Sequence, residues 1–178
     1  MRRFLVALTA VLLLAGCTAD PAPVLPSGLT VLPVSERTAA PALRGEKLDG
    51  SGTYDLAADR GDVVVLNFWG SWCGPCVAEA DDLVQAYEST KDSGVAFVGV
   101  NVRDVRGPAV DFLTEHKVTY PNVFDPSSKV ALGFQVPPTT VPATIILDRQ
   151  HRVAVIARRA VVADELRTVL TQLAGEHG

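Results

Sequence analysis

The sequence predicts one α/β domain, a sheet sandwiched between helices, and three observations carry that prediction. Patterned segments follow in the order hairpin, strand, helix, strand, helix, then strand, strand, helix, with no internal repeat. Residues 63–68 and 95–102 are nearly continuous apolar runs, as in strands covered on both faces. The composition is that of a folded chain: 178 residues, 48% hydrophobic, 20% charged, with a net charge of −4. That balance excludes a disordered chain and lacks the basic footprint of a nucleic-acid binder.

The N-terminus stands apart from the domain. Met1, Arg2 and Arg3 precede an apolar stretch over residues 4–16. A membrane-spanning helix needs about 20 apolar residues, whereas a basic start and a short apolar core read as an export signal. The stretch ends in Leu14, Ala15, Gly16 and Cys17, which resembles the lipobox of bacterial lipoproteins. That resemblance implies cleavage before Cys17 and acylation of its sulfur, with residues 1–16 as signal peptide. Several acyl chains on one residue would anchor the protein stably to a membrane. The alternative is an ordinary secretory signal with an incidental cysteine. Pro21, Pro23, Pro26 and Pro33 make residues 17–40 read as a semi-rigid tether, and residues 41–178 as the domain. An arm folded against the domain is the other reading of that segment.

Within the domain, Asp49, Gly50, Ser51 and Gly52 mark a tight turn, hence an N-terminal β-hairpin. The strand at 63–68 is followed by Val77, Ala80, Leu83, Val84 and Tyr87 at helical spacing. The strand at 95–102 leads to a helix over 108–116, with Pro108 in its first turn. A shorter helix falls near 128–132. Strands at 144–147 and 152–156 pair across Asp148, Arg149 and Gln150, and an amphipathic helix over 163–173 closes the chain.

The chemistry centres on Cys73, Gly74, Pro75 and Cys76, between a buried strand and a helix start. Two intervening residues let the sulfurs reach disulfide distance across one helical turn. The unpaired N–H groups and positive dipole end there favour a thiolate on Cys73, making it the nucleophile, with the more deeply placed Cys76 as the resolving thiol. Zinc would need two more soft ligands, and only His116, His151 and His177 are available, none in a paired motif. Haem attachment would need His after Cys76, where Val77 stands. A purely structural disulfide over so short a loop would constrain the unfolded chain little. No metal or other cofactor is therefore expected.

The segment Asn67, Phe68, Trp69, Gly70, Ser71, Trp72, Cys73, Gly74, Pro75, Cys76 resembles the active-site segment of the thioredoxin superfamily. More narrowly, the stretch from about residue 42 to 173 is similar to the TlpA/ResA-like branch of extracytoplasmic thiol–disulfide oxidoreductases. The resemblance implies a thioredoxin-like three-layer α/β/α sandwich with an N-terminal hairpin and a central insertion. Thioredoxins proper place an Asp where this chain has Asn67, so any proton exchange must lie elsewhere or pass through water. The branch often has an acid where this chain has Glu79, making Glu79 the candidate for proton exchange with the thiols. A solvated first-turn acid is the other reading of that residue. The resemblance also implies a cis-proline at Pro142, with Val141 offering backbone groups to the substrate polypeptide. Pro137 and Pro138 lie nearby, but Pro142 has the expected register before the Thr144 strand. Trp72, Gly74 and Pro75 complete the expected substrate surface, while Trp69 suits core packing.

These expectations add up to a membrane-anchored protein disulfide reductase on the outer face of a bacterial cell membrane. The resemblance implies an integral-membrane thiol carrier of the CcdA/DsbD type as electron donor, and apocytochrome c as one client. A disulfide-forming oxidase of secreted proteins and a redox-inert binding lipoprotein are the alternatives. A peroxidase would need a Pro-x-x-x-Thr/Ser-x-x-Cys segment, which the sequence lacks. Arg149, Arg152, Arg158 and Arg159 read as one basic group near the C-terminal strands, most simply a solvated face, with docking of a partner or of anionic headgroups as the alternative.

Overall fold

The computed structural model describes residues 28–176; Cys17, the signal segment and the start of the tether lie outside the described residues. The chain builds β1 (Leu29–Val31), β2 (Arg44–Glu46), β3 (Thr53–Asp55), β4 (Val63–Trp69), α1 (Gly74–Thr90), β5 (Val95–Val102) and α2 (Arg106–Glu115). It continues through β6 (Asn122–Asp125), α3 (Lys129–Gly133), β7 (Ala143–Leu147), β8 (Val153–Ala157) and α4 (Ala163–Gly175). Six strands form a mixed sheet in the order β1-β8-β7-β4-β5-β6, and β2 and β3 form the hairpin beside it. β4, β5 and β6 are parallel, whereas β7 runs antiparallel to β4, β8 to β7 and β1 to β8.

All seven residues of β4 are buried, and their alternation sorts the two faces. Val63 and Val65 pack with Leu83 and Ala86 of α1 and with Leu166, Val169, Leu170 and Leu173 of α4. Val64, Leu66 and Phe68 point the other way, onto Leu43, Tyr54 and Leu56 beside the hairpin and Ala131 and Phe134 around α3. Each such aliphatic side chain, fully buried, contributes about 1.5–3 kcal/mol. The two crossovers from β4 to β5 and β5 to β6 put α2 on the α1 side, where Phe112 stacks on Trp69. The three layers are therefore α1, α2 and α4; the sheet; and the hairpin with α3. The chain between β5 and α3 supplies α2 and β6 as the central insertion.

Three details differ from the sequence reading. Residues 28–40, read as tether, belong to the domain: β1 pairs with β8, and Ala39 bridges Arg152. Arg37 secures that segment by donating to Leu32 O and to the carboxylates of Asp148 and Glu176. Prolines conceal this, because a three-residue edge strand has no periodicity long enough to read. The sequence pattern does not predict β6 either, since its polar ends, Asn122 and Asp125, leave only two apolar residues between them. Val77, placed on the buried stripe of α1, is 42% exposed; that stripe runs instead through Cys76, Glu79, Ala80, Leu83, Ala86 and Thr90.

Candidate active site

The β4 strand delivers the chain to a tight turn ahead of α1. The Cys73 N–H donates to Gly70 O (3.0 Å), and the Trp72 indole folds back over Gly70. A Cβ at position 70 would sit 2.5 Å from Trp72 Nε1, so only glycine allows this packing. Trp72 remains 50% exposed, with its Nε1–H donating to Val102 O (3.3 Å) and the Arg103 guanidinium over its ring. Asp104 braces the turn from the loop after β5. Its carboxylate accepts from the Ser71 N–H (2.6 Å), the Ser71 hydroxyl (2.9 Å), Asn101 Nδ2 (2.8 Å) and the Val105 N–H (2.8 Å).

Cys73 is the N-cap of α1, with Pro75 in the first turn. Its sulfur accepts from the Cys76 N–H at 3.3 Å and is joined to Cys76 in a disulfide, Cα to Cα 5.2 Å. The sulfur thus stands among the donors left unpaired at a helix start, where negative charge is favoured. Both cysteines are buried, Cys73 at 4% and Cys76 at 1% exposure, so their accessibilities differ little. Gly74 and Pro75 are exposed beside them.

Beneath the disulfide, Trp69 stacks on Phe112 (centroids 4.4 Å apart) and donates from Nε1 to Asn122 Oδ1 (2.9 Å). Gly99 on β5 makes room: a Cβ there would lie 1.7 Å from Asn122 Oδ1 and 2.8 Å from Trp69 Nε1. A cavity of about 10 Å³, lined in part by Asn67, Trp69 and Tyr120, adjoins Cys76; it has room for about one water.

Glu79, one turn after Cys76, is buried at 1% exposure rather than solvated. Its Oε1 accepts from Asn67 Nδ2 (2.8 Å) and its Oε2 from the Val161 N–H (2.9 Å). Asn67 also donates to Thr144 Oγ1 (3.2 Å). Burial pushes the Glu79 carboxyl up to about 7, the two hydrogen bonds resisting and Asp82 adding to the rise. Asn67 therefore occupies the strand position but hands the acid to the helix. A buried carboxyl titrating near neutrality, one turn from a cysteine, can exchange protons at ordinary pH.

The Val141–Pro142 peptide is cis. β7 starts at Ala143, which pairs with Phe68 at the end of β4, so Pro142 lies at the disulfide end of the sheet. Val141 packs against the cluster that contains Trp69, Cys73 and Cys76. The four arginines do not form one group. Arg149 donates to Gly61 O and Ala174 O, and Arg152 pairs with Asp148 at the end of the sheet away from the disulfide. Arg158 and Arg159 follow β8 at the other end, Arg158 donating to Gln135 O and Arg159 pairing with Glu165. Antiparallel strands separate residues close in sequence. Sequence reasoning missed Asp104, Ser71 and Asn122, because no spacing relates these polar residues to the cysteines before the sheet is assembled.

Comparison with known proteins adds independent findings. A family model described as the AhpC/TSA family matches residues 37–156, and one for the prokaryotic membrane lipoprotein lipid attachment site matches residues 1–18. The chain is 32% identical to the thiol-disulfide oxidoreductase ResA of Bacillus subtilis over 120 residues, 67% of this chain. The match spans 65% of ResA, just under two thirds of its length. The crystal structure of a DsbF homologue from Corynebacterium diphtheriae superposes with a TM-score of 0.77 at 40% identity, covering 82% of this chain and 93% of that one. A secreted thiol-disulfide isomerase from Corynebacterium glutamicum gives 0.78 at 34% identity, covering 84% and 93%.

Proposed function

The chain belongs to the AhpC/TSA family and has a thioredoxin-like fold, and from that premise we propose that it is a thiol–disulfide oxidoreductase, specifically a protein disulfide reductase working through the Cys73/Cys76 couple. The observation that carries this reading is a Cys pair capping α1, with the buried Glu79 carboxyl one turn further on.

In the reducing direction the Cys73 thiolate attacks one sulfur of a substrate disulfide. An S–S bond forms between Cys73 and the substrate, and the substrate's other sulfur leaves as a thiolate that takes a proton. Cys76 then loses its proton and attacks Cys73 Sγ, releasing the second substrate sulfur as a thiol. Two electrons pass from the Cys73 thiolate and Cys76 to the substrate, leaving the Cys73–Cys76 disulfide. The Cys76 proton passes by way of Glu79 to the second substrate sulfur, and the first takes from solvent the proton that Cys73 released on ionising. Glu79 accepts the Cys76 proton; Asn67, which donates to Glu79 Oε1, lines the small cavity beside Cys76. The half-exposed Trp72 and the Val141 backbone hold the incoming polypeptide by a short strand-like pairing.

Acylated Cys17 anchors the protein on the extracytoplasmic face of the cell membrane, supported by the lipid-attachment match over residues 1–18. No helix among the described residues is long and apolar enough to cross a membrane. An integral-membrane thiol carrier of the CcdA/DsbD type re-reduces the disulfide, and apocytochrome c, whose thiols must be free for haem attachment, is a client. Replacing the resolving thiol, Cys76→Ser, blocks the second step and should accumulate mixed disulfides through Cys73. Capture of exported proteins supports the reading, whereas capture of cytosolic proteins alone contradicts it. The similarity to a secreted thiol-disulfide isomerase favours one second reading, the formation of disulfides in secreted proteins. The reduction potential separates the two directions.

A further inference from the structure

The loop between β5 and α2 carries a cation that the fold leaves without a partner. Arg103 is exposed, and its guanidinium carbon lies 5.8 Å from the centroid of the Trp72 ring. It makes no hydrogen bond or ion pair with any described residue. The charges beside it are engaged elsewhere. Asp104 directs its carboxylate to Ser71, Asn101 and the Val105 N–H. Arg106 pairs with Glu46 (3.0 Å), donates to Leu48 O (2.6 Å) and lies over the Phe124 ring. Arg106 thus ties the hairpin to α2, whereas Arg103 reaches Trp72 alone. The backbone at Arg103 is unfavourable as well. Its φ of +48° lies in the left-handed region, where glycine would sit without a Cβ penalty and an arginine is uncommon. Such conformations cluster at functional sites, held there by the surrounding structure.

The surface around the disulfide offers this cation no carboxylate. Trp72, Gly74, Pro75, Val77 and Ala78 are exposed on one side, and Thr139 and Thr140 precede Val141 on the other; none is charged. On α1, Glu79 is buried against Asn67 and the Val161 N–H, Asp81 holds His116, and Asp82 accepts from the Ala163 N–H. A guanidinium lying over an aromatic ring keeps N–H donors for a carboxylate, which it meets in fork geometry. An acid for Arg103 therefore has to arrive with the bound polypeptide.

We propose that Arg103 is a specificity-determining residue that, together with Trp72, receives a carboxylate of the substrate polypeptide. The preferred substrates then carry Asp or Glu two or three residues from the cysteine that Cys73 attacks. The proposal rests on the oxidoreductase reading above and names the substrate class of that same site. The spacing follows from reach. Trp72 adjoins Cys73, consecutive Cα atoms are about 3.8 Å apart, and the guanidinium stands beyond the Trp72 ring. An extended substrate, advancing about 3.3 Å per residue, covers that offset in two or three residues. A lysine at the same place is repelled, so the contact selects against basic sequences as well as for acidic ones.

The test uses the full chain in detergent, reduced with dithiothreitol and then freed of it. The probes are synthetic peptides with a single cysteine in a mixed disulfide with 2-thiopyridine. They differ only in carrying Glu, Gln or Lys at the second and third positions before or after that cysteine. Cys73 attacks the peptide sulfur and thiopyridone leaves, followed by its absorbance. Cys76 then releases the peptide thiol, so each turnover oxidises one dithiol of the protein. Rates are read against Cys73→Ser protein, which removes any contribution from Cys17. At pH 7 and low salt, the second-order rate constant should be about fivefold higher for Glu than for Gln on at least one side of the cysteine, and lower again for Lys. Salt at about 1 M should erase the difference. Arg103→Gly, which suits the left-handed backbone, should bring the Glu-to-Gln ratio to about one, and Arg103→Glu should invert it. A wild-type ratio of one on both sides, or a preference that survives in Arg103→Gly, overturns the proposal and leaves the oxidoreductase reading standing. Wild-type protein that releases no more thiopyridone than Cys73→Ser, from any peptide, overturns both.

Discussion

Glu79 sits where burial and hydrogen bonding oppose each other, and its titration leaves a mark on stability. Its folded pKa of about 7 stands above the ordinary value of 4.5, so the folded state holds this proton more tightly than the unfolded chain. The resulting stability is fully present below pH 4.5 and is lost as the pH rises to 7, a change of about 3 kcal/mol. Glu79→Gln removes that titration. Urea unfolding should show the variant gaining on the wild type by up to about 3 kcal/mol between pH 4.5 and 7.5, while disulfide exchange at pH 7 slows about 100-fold. Parallel stability curves would contradict the buried, shifted carboxyl. Asp104 makes a second residue-scale prediction: Asp104→Ala strips the acceptor from four donors around the Trp72 turn. A loss of about 2 kcal/mol is expected, with Trp72 fluorescence shifting toward that of a free indole. The first of these residues was legible in the sequence and the second was not. Glu79 is singled out by the resemblance of its position to the family's acid, whereas Asp104 reaches Ser71 only because β5 lies beside β4.

At the scale of elements, β4 and β5 form a floor whose flatness at one point depends on Gly99. The close approach of Asn122 Oδ1 and Trp69 Nε1 leaves no space for a methyl group there. Gly99→Ala should cost about 1–3 kcal/mol by overpacking and disturb the Trp69 packing beneath the cysteines, read from thermal unfolding and from a changed tryptophan spectrum. An unchanged midpoint would mean that β6 shifts freely, contrary to its pairing with β5 through Asn122 to Asp125. The long elements were readable because their patterns persist: β4 and β5 as apolar runs, and α1 and α4 as helical stripes. β1 and β6 were not, since a strand of three or four residues acquires its identity from its neighbours. The Val77 misplacement has a related origin. At its first turn α1 faces inward with Cys76 and the acidic Glu79, and hydrophobicity alone assigns that inward place to Val77.

For the whole molecule, the sheet places the Cys73–Cys76 pair, Glu79, Pro142 and the start of β1 at one end. The Arg37, Asp148, Arg152 and Glu176 network ties the other end. Fold and cysteine couple could be read from sequence because one contiguous motif, with its flanking strand and helix, carries both. The common end for the start of β1 and the disulfide could not, as it follows from strand order and register. Direction of electron flow is the central claim, and the reduction potential of Cys73–Cys76 tests it most directly. Equilibration of the purified protein with dithiothreitol redox buffers should give a value near thioredoxin's, about −270 mV; a value near that of DsbA, about −120 mV, would contradict a reductase.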